Sequence, residues 1–235
     1  MSSTPEPAAN RLLAALPDKD RRHFLGCCDT VELVFSKTLS RPGEPIQHVY
    51  FPTDSVISLA IPIDGDIGME VELIGNEGML GIQLMLGVDI SPFYSLVQVP
   101  GPALRITAPW FLLQLEQSPA LQSSLKHYLY VLIRQLAQNA ACNRFHVVEK
   151  RLARLLLMTR DRAHSDQFRI THELLADMLG VRRVGVTKAA GALQAKQLIS
   201  YHRGNVRIHN IAGLEAVSCG CYQADKETYD RVMRS

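Results

Sequence analysis

Two textures of apolar residues divide the chain: short alternating or β-branched runs up to about residue 107, and steps of three and four beyond residue 119. From Cys28 to about Thr107 the runs are VELVF, HVYF, SVISLAIPI, MEVELIG, FYSLVQV and ALRIT. Between them stand Arg41-Pro42-Gly43, Pro52-Thr53-Asp54, Asp64-Gly65-Asp66, Gly75-Asn76-Glu77-Gly78 and Pro100-Gly101-Pro102. Strand-length runs punctuated by turn residues predict an antiparallel β-barrel or jelly roll. Ahead of them, Leu12, Leu13 and Leu16 form one helical edge, and Pro17-Asp18 opens a second turn that reaches Phe24. The opening MSSTPEPAAN carries no pattern and reads as a disordered lead-in.

Pro109-Trp110 begins a helical turn, and a long helix is expected from Pro119 to Asn143. Its apolar stripe is Leu121, Leu125, Tyr128, Leu132 and Leu136, widened by Leu129 and Ile133. A stripe this wide can cover its own barrel and still meet a second copy. Asn143-Arg144-Phe145-His146 reads as a hinge. The next helix, Val147 to about Ala163, turns Val148, Leu152, Leu155, Leu156 and Thr159 inward and is expected to leave Arg151, Arg154 and Arg162 exposed. A short helix is expected from Ile211 to Cys219, and the tail from Gly220 shows no pattern.

Residues 170–199, ITHELLADMLGVRRVGVTKAAGALQAKQLI, have the most specific pattern in the chain. Thr171 is an N-cap type, because its hydroxyl oxygen can accept from a free amide one turn in, and Glu173 suits the positive helix start. Leu174, Leu175 and Met178 give the first helix one apolar side, and Gly180 suits a left-handed helix end. The second helix, from about Arg182 to Lys196, turns Val186, Ala189, Ala190 and Leu193 inward and Arg182, Arg183, Thr187 and Lys188 outward. Two apolar helices around a glycine turn, with cations opening the second, make a helix-turn-helix. Downstream, ISYHRGNVRIHN alternates around Arg203-Gly204-Asn205 as a β-hairpin wing, and Gln167 to Ile170 offers a third strand. The fold class is α+β: a β-barrel or jelly roll, a long dimerisation helix and a C-terminal winged helix-turn-helix domain.

Charge follows the same division. Net charge is +2, yet residues 144–210 hold 13 Lys and Arg against 5 Asp and Glu, while the remainder holds 12 against 18. A basic C-terminal block beside an acidic remainder is expected where one domain meets phosphates and the other does not.

Residues 170–200 resemble, without a gap, the winged helix of the Crp/Fnr transcription regulators. The resemblance rests on Ile170-Thr171, Gly180, Val186 and Leu198-Ile199-Ser200. It implies a cyclic-nucleotide-binding-like barrel, a homodimer formed through the long helix, and double-stranded DNA as partner, with RNA polymerase as a further candidate. It places Arg183 and Lys188 where base edges are read, and Thr171, His172 and Arg182 near phosphates. Thr187 and Arg203 complete the candidate DNA-binding set. Val184 and Gly185 stand where other members carry a polar pair such as Glu-Thr, so the preferred DNA sequence does not carry over. The implied division is a lead-in over 1–27, a barrel over 28–116, a dimerisation helix over 117–143, the winged helix over 144–217 and a tail over 218–235.

Nucleotide-binding members hold the cyclic phosphate with a Gly-Glu pair and an Arg about ten residues on. Here Gly81 is followed by Ile82, and Pro92, Phe93 and Tyr94 occupy the Arg region. Between Arg41 and Arg105 there is no Lys or Arg at all, and a buried phosphate without a cation is badly compensated. Backbone amides near Gly78 to Gly81, or Lys126 and Arg134, are weaker substitutes. The expectation is a regulator that does not answer to cyclic nucleotides, its effector open; the alternative is a cyclic-nucleotide or other small-ligand sensor whose output is mainly through protein partners.

Catalysis is not expected. His48 is the one histidine of residues 28–107, Glu70 and Glu72 alternate on a strand and are expected to face solvent, and no nucleophile–base pair or phosphate loop is present. Of the five cysteines, adjacent Cys27-Cys28 lacks the spacing of an iron–sulfur motif, and Cys219-Gly220-Cys221 is a two-ligand fragment needing partners from elsewhere. Together with Cys142 they are expected to be buried or free thiols, with no metal and no cofactor. No secretory signal and no run of about twenty apolar residues is visible, which favours a cytoplasmic protein without a membrane span.

Overall fold

The computed structural model describes residues 10–63 and 66–233. The lead-in before Asn10, and Asp64 and Gly65 of one expected turn, lie outside the described residues. Two short helices, α1 (Arg11–Ala14) and α2 (Asp18–Leu25), precede seven strands: β1 (Asp29–Leu33), β2 (Thr38–Ser40), β3 (His48–Pro52), β4 (Val56–Ile63), β5 (Asp66–Ile74), β6 (Tyr94–Val99) and β7 (Gly101–Thr107). They form two antiparallel sheets, ordered β1-β7-β3 and β2-β6-β4-β5. The expected barrel is therefore an open, jelly-roll-like pair of sheets.

Strand periodicity explains its core. Val49 and Phe51 alternate inward on β3 and meet Phe24, Ile106 and Leu12, while Leu33, Ile57, Ile74 and Val97 fill the space around Ala103. Asn10 fastens the entry: it accepts from the Leu13 amide and donates to the carbonyls of Pro52 and Gly78 at 2.9 and 2.8 Å.

After α3 (Ala108–Gln117) comes the long helix α4, Pro119–Phe145. Ser118 caps it by accepting from the Leu121 amide at 3.1 Å, and Pro119 sits in the first turn, where a missing N–H costs nothing. The helix runs through Asn143 and Arg144 and stops at His146, whose backbone is extended. The expected hinge thus narrows to His146 and Val147. The expected stripe splits in two. Leu121, Leu125 and Tyr128 are buried against the jelly roll, whereas Ile133 and Leu136 are 58% and 45% exposed, and Tyr130, not part of the expected stripe, is 49% exposed beside them.

The C-terminal part comprises α5 (Val148–Ala163), β8 (Gln167–Arg169), α6 (His172–Leu179), α7 (Arg183–Ala195), β9 (Ile199–His202), β10 (Asn205–Ile208), α8 (Ile211–Val217) and α9 (Cys221–Met233). Its three strands pair in the order β8-β10-β9. Leu152, Leu156, Leu175, Val186, Leu193, Val206 and Leu214 share one core. No described helix is long and apolar enough to cross a membrane.

Two expectations fail together here. The tail is ordered as α9, whose buried face is Cys221, Tyr222, Asp225, Thr228 and Tyr229. That face has helical spacing, but it is written in polar and aromatic residues instead of aliphatic ones. Arg151, Arg154 and Arg162, expected at the surface, are buried. Arg154 pairs with Asp225 of α9 at 2.5 Å, Arg151 donates to Asn143 Oδ1 at 2.6 Å and to the Leu179 carbonyl, and Arg162 reaches the jelly roll. Apart from Asn143, their partners (Leu179, Asp225 and Glu77) lie far away in sequence, so helical spacing alone could not place them.

Glu72, expected in solvent, is also buried, and Glu70 is half-buried, accepting from the Ser58 hydroxyl. Arg162 Nε lies 2.7 Å from Glu77 Oε1, but its Nη2 is 3.8 Å from Glu72 Oε1. One cation thus faces two buried carboxyls. Burial raises the Glu72 pKa to about 7, Arg162 opposes this only in part, and Glu77 adds to it. Glu72 therefore binds its proton more tightly folded than unfolded. Its contribution to stability is complete below the ordinary carboxyl pKa and disappears as pH rises through about 7. Glu72→Gln is expected to flatten this slope and leave the variant the more stable protein at pH 8, by up to about 3 kcal/mol. Denaturation midpoints from pH 5 to pH 8 check it, and parallel profiles for the two proteins would contradict it.

Candidate nucleic-acid interface

The outer surface of α6, α7 and the wing is set by how their inner surface packs. Thr171 caps α6 by accepting from the Leu174 amide at 3.1 Å, and Gly180 ends it at φ 58°. Leu175, Ala176, Met178 and Leu179 of α6 and Val186, Ala189, Ala190 and Leu193 of α7 are buried. This packing leaves the opposite face of α7 exposed. Its first two turns expose Arg183, Val184, Thr187 and Lys188, with Arg182 just ahead as the N-cap residue. Arg183 with Thr187, and Val184 with Lys188, stand one turn apart in two adjacent rows. No acidic residue stands in that first turn and no side chain caps it, so the helix start keeps its attraction for an anion.

Arg183 lies 3.6 Å from Glu173, but both side chains are more than two-thirds exposed, so this pair costs little to exchange for another anion. Thr187 donates to the Arg183 carbonyl at 3.1 Å and lies 3.2 Å from His172 Nδ1. His172 stacks on Tyr201 with ring centroids 4.3 Å apart, and its Nε2 is buried without a partner among the described residues. Burial, and then Arg183, hold the imidazole below its ordinary pKa. His172 and Thr187 therefore tie α6, α7 and the wing together, His172 half-buried and Thr187 still exposed. The Tyr201 hydroxyl completes the tie by donating to the Ile170 carbonyl at 2.7 Å.

The wing turns at Arg203 and Gly204, both with positive φ (48° and 80°), as a two-residue hairpin turn of the I′ kind needs. Arg203 is exposed at that tip. Arg182, Arg183, Lys188 and Arg203 are thus exposed side chains at the surface of one domain, Arg183 in an exposed pair with Glu173, while Thr171 and His172 are half-buried. One neighbour was not singled out from sequence: Tyr201, which carries the His172 ring; Val184, noted there as a departure from the family's polar pair, is 60% exposed among the cations. The alternation of the wing contains the signal for Tyr201, since Tyr201 pairs with Val206 across the hairpin.

Comparison with known proteins agrees with this geometry. Residues 150–217 match the Crp-like helix-turn-helix domain. The chain is 25% identical over 184 residues to the global nitrogen regulator of Nostoc sp., spanning 74% of this chain and 82% of that protein. The global nitrogen regulator of Synechocystis sp. is 27% identical over 191 residues, spanning 76% and 84%. Among solved structures, FixK2 of Bradyrhizobium japonicum shares the fold at TM-score 0.66 and 13% identity, covering 82% of this chain and 98% of that one. The c-di-GMP-responsive global regulator CLP of Xanthomonas campestris does so at TM-score 0.65 and 18% identity, covering 82% and 99%. The Crp-like helix-turn-helix over residues 150–217, carried behind a jelly roll and a long helix, makes this chain a DNA-binding transcription regulator whose fold is similar to that of the Crp/Fnr regulators.

Proposed function

We propose that the chain binds a roughly palindromic duplex site as a homodimer, with α7 in the major groove, and does so without a cyclic nucleotide. The observation that carries this is the outward face of α7, where Arg183 and Lys188 stand clear of a fully packed helix-turn-helix. Both suit guanine edges, and Val184 between them suits a thymine methyl group. Arg182, Arg203 and the start of α7 serve phosphates, while Thr171, His172 and Thr187 hold the two helices at their working angle. The homodimer rests on Tyr130, Ile133 and Leu136, which a single chain leaves in water. Two-fold symmetry then sets half-sites about one helical turn apart.

Independence from nucleotide rests on two features. No Lys or Arg stands between Arg41 and Arg105, and Ile82 replaces the acidic residue beside Gly81. The Tyr128 hydroxyl also fills space at Gly78, where it accepts from the Met79 amide at 3.3 Å. Selection of bound fragments from a random DNA pool by the full chain, with no ligand added, tests the reading. A palindromic motif is expected; enrichment only with cyclic AMP present would reverse the nucleotide part, and no motif under either condition would reverse the DNA part.

Base and phosphate contacts leave different marks. Arg183→Ala or Lys188→Ala is expected to weaken specific binding by about 1–3 kcal/mol and to relax sequence preference. Arg182→Ala should weaken all sequences alike and lower the slope of log K against log salt by about one. Titrations over a range of salt with the selected site and a scrambled site separate the two, and identical behaviour would refute the assignment.

A further inference from the structure

Three of the five cysteines meet one histidine where α4 gives way to α5. Cys142 and His146 stand one turn apart at the end of α4, a spacing that brings two side chains to one side of a helix. Cys219 and Cys221 flank Gly220 at the corner between α8 and α9. Folding brings the two pairs together: Cys142 Sγ lies 3.5 Å from Cys219 Sγ, and Cys221 Sγ lies 3.6 Å from His146 Nδ1. One ligand atom from each of the four residues lies within 4.8 Å of all the others. The three thiols are buried and the imidazole is half-buried.

A set of small buried thiols filling a core is the simplest account of such a cluster. It does not explain why an imidazole nitrogen faces the same centre. A Cys142–Cys219 disulfide would use one pair and leave Cys221 and His146 without a function. A single tetrahedral ion uses all four. With Zn–S bonds of about 2.3 Å and Zn–N bonds of about 2.0 Å, the ligand atoms of such a site stand about 3.5–3.8 Å apart. The two short separations already have this value, and the longest needs a contraction of only about 1 Å. An iron–sulfur cluster would hold its ligands farther apart, because several metal and sulfide ions come between them.

The surroundings suit an anionic centre. Three thiolates, a neutral imidazole and a dication carry one net negative charge. The buried guanidinium of Arg154 interacts with Cys142, and that of Arg151 with Cys142 and Cys219. The Nε of each arginine is buried without a partner among the described residues. Gln138 Nε2 donates to Cys221 Sγ at 3.0 Å, the kind of outer hydrogen bond that orients a metal-bound sulfur.

We propose that Cys142, His146, Cys219 and Cys221 bind one Zn²⁺ ion, which fastens the end of α4 to the corner between α8 and α9. Binding displaces the thiol protons, so affinity rises with pH. The ion spans the narrow hinge at His146 and Val147, and its presence therefore fixes how the helix-turn-helix sits on α4. The site stands on these four residues and not on any property of DNA.

Titrating the full chain, reduced and stripped of metal, with Co²⁺ and then Zn²⁺ is the test. One equivalent of Co²⁺ is expected to give thiolate-to-cobalt charge-transfer bands and the strong visible absorption of a tetrahedral site, both removed by one equivalent of Zn²⁺. Cys142→Ser and Cys219→Ser should abolish the charge-transfer bands or weaken binding more than tenfold, Gln138→Ala should weaken it by about tenfold to a hundredfold, and the double variant Cys27→Ser/Cys28→Ser should change nothing. Should a serine variant fail to fold, the wild-type chain decides through alkylation: Zn²⁺ should protect Cys142, Cys219 and Cys221 until a chelator is added. No charge-transfer band in the wild-type chain, a spectrum that survives both serine substitutions, or alkylation indifferent to the chelator would each overturn the proposal.

Discussion

Arg162→Ala is expected to cost about 3–5 kcal/mol of folding stability, the usual result of removing one member of a buried ion pair. Arg162 is buried, and its guanidinium lies 2.7 Å from Glu77 Oε1 and donates to the Leu73 carbonyl at 3.2 Å. Alanine would leave Glu77 charged and buried without its cation, and the carbonyl without its donor. It would also leave Glu72 even less able to ionise. The surrounding packing is equally unforgiving: a Cβ placed at Gly75 would come within 2.4 Å of Arg162 Cβ, so the loop after β5 and the end of α5 lie against each other. The penalty belongs mainly to the stranded carboxyls and not to the pair as such. Arg162→Met combined with Glu72→Gln and Glu77→Gln should accordingly recover most of what Arg162→Ala loses. Urea denaturation at pH 7 for the single and combined variants measures both terms. A loss below about 1 kcal/mol for Arg162→Ala would show that water reaches this seam and compensates the carboxyls.

The same seam shows where sequence reading stops. The apolar faces of α5, α6 and α7 were legible because aliphatic residues at steps of three and four have one common solution, burial against each other. Thr171 and Gly180 fixed the ends of α6 because their conformational preferences act within one turn. Arg162 and Glu77 are different. Each looks like a solvent residue on its own element, and only a contact across 85 positions makes them partners. Tyr229 is another such case: it lies on α9 and donates to the Glu77 carbonyl at 2.9 Å, so a tail without aliphatic spacing is ordered by the jelly roll. The cysteines follow the same rule. Cys219-Gly220-Cys221 was visible as half a ligand set, but Cys142 and His146 join it only through the length of α4. On α7, by contrast, the outward placement of Arg183 and Lys188 depends on no distant partner, since it follows from which residues the helix buries.

Ile133→Glu with Leu136→Glu is expected to leave each chain folded and to abolish the homodimer. In the single chain these two side chains are 58% and 45% exposed, so neither substitution opens a cavity or strands a hydrogen bond. Tyr130 shares that outer side of α4, while Leu121, Leu125 and Tyr128 are committed to the jelly roll on the inner side. In a two-fold dimer the outer faces meet their own copies, and four carboxylates would then crowd a seam that excludes water. The consequence for DNA is larger than for folding. When one half-site is bound, the partner's α7 is held close to the other, and this linkage multiplies affinity by about 10²–10⁴ over a lone domain. Losing it should reduce binding to the palindrome by a factor in that range. Binding to a single half-site, and the weak salt-dependent binding to unrelated DNA, should stay nearly unchanged, since Arg182, Arg183, Lys188 and Arg203 lie outside α4. Sedimentation measures the first effect and titration of whole and half sites the second. A doubly charged variant that remains dimeric would move the interface off this face of α4, and a monomeric variant that still binds the palindrome tightly would show that symmetry contributes nothing to recognition.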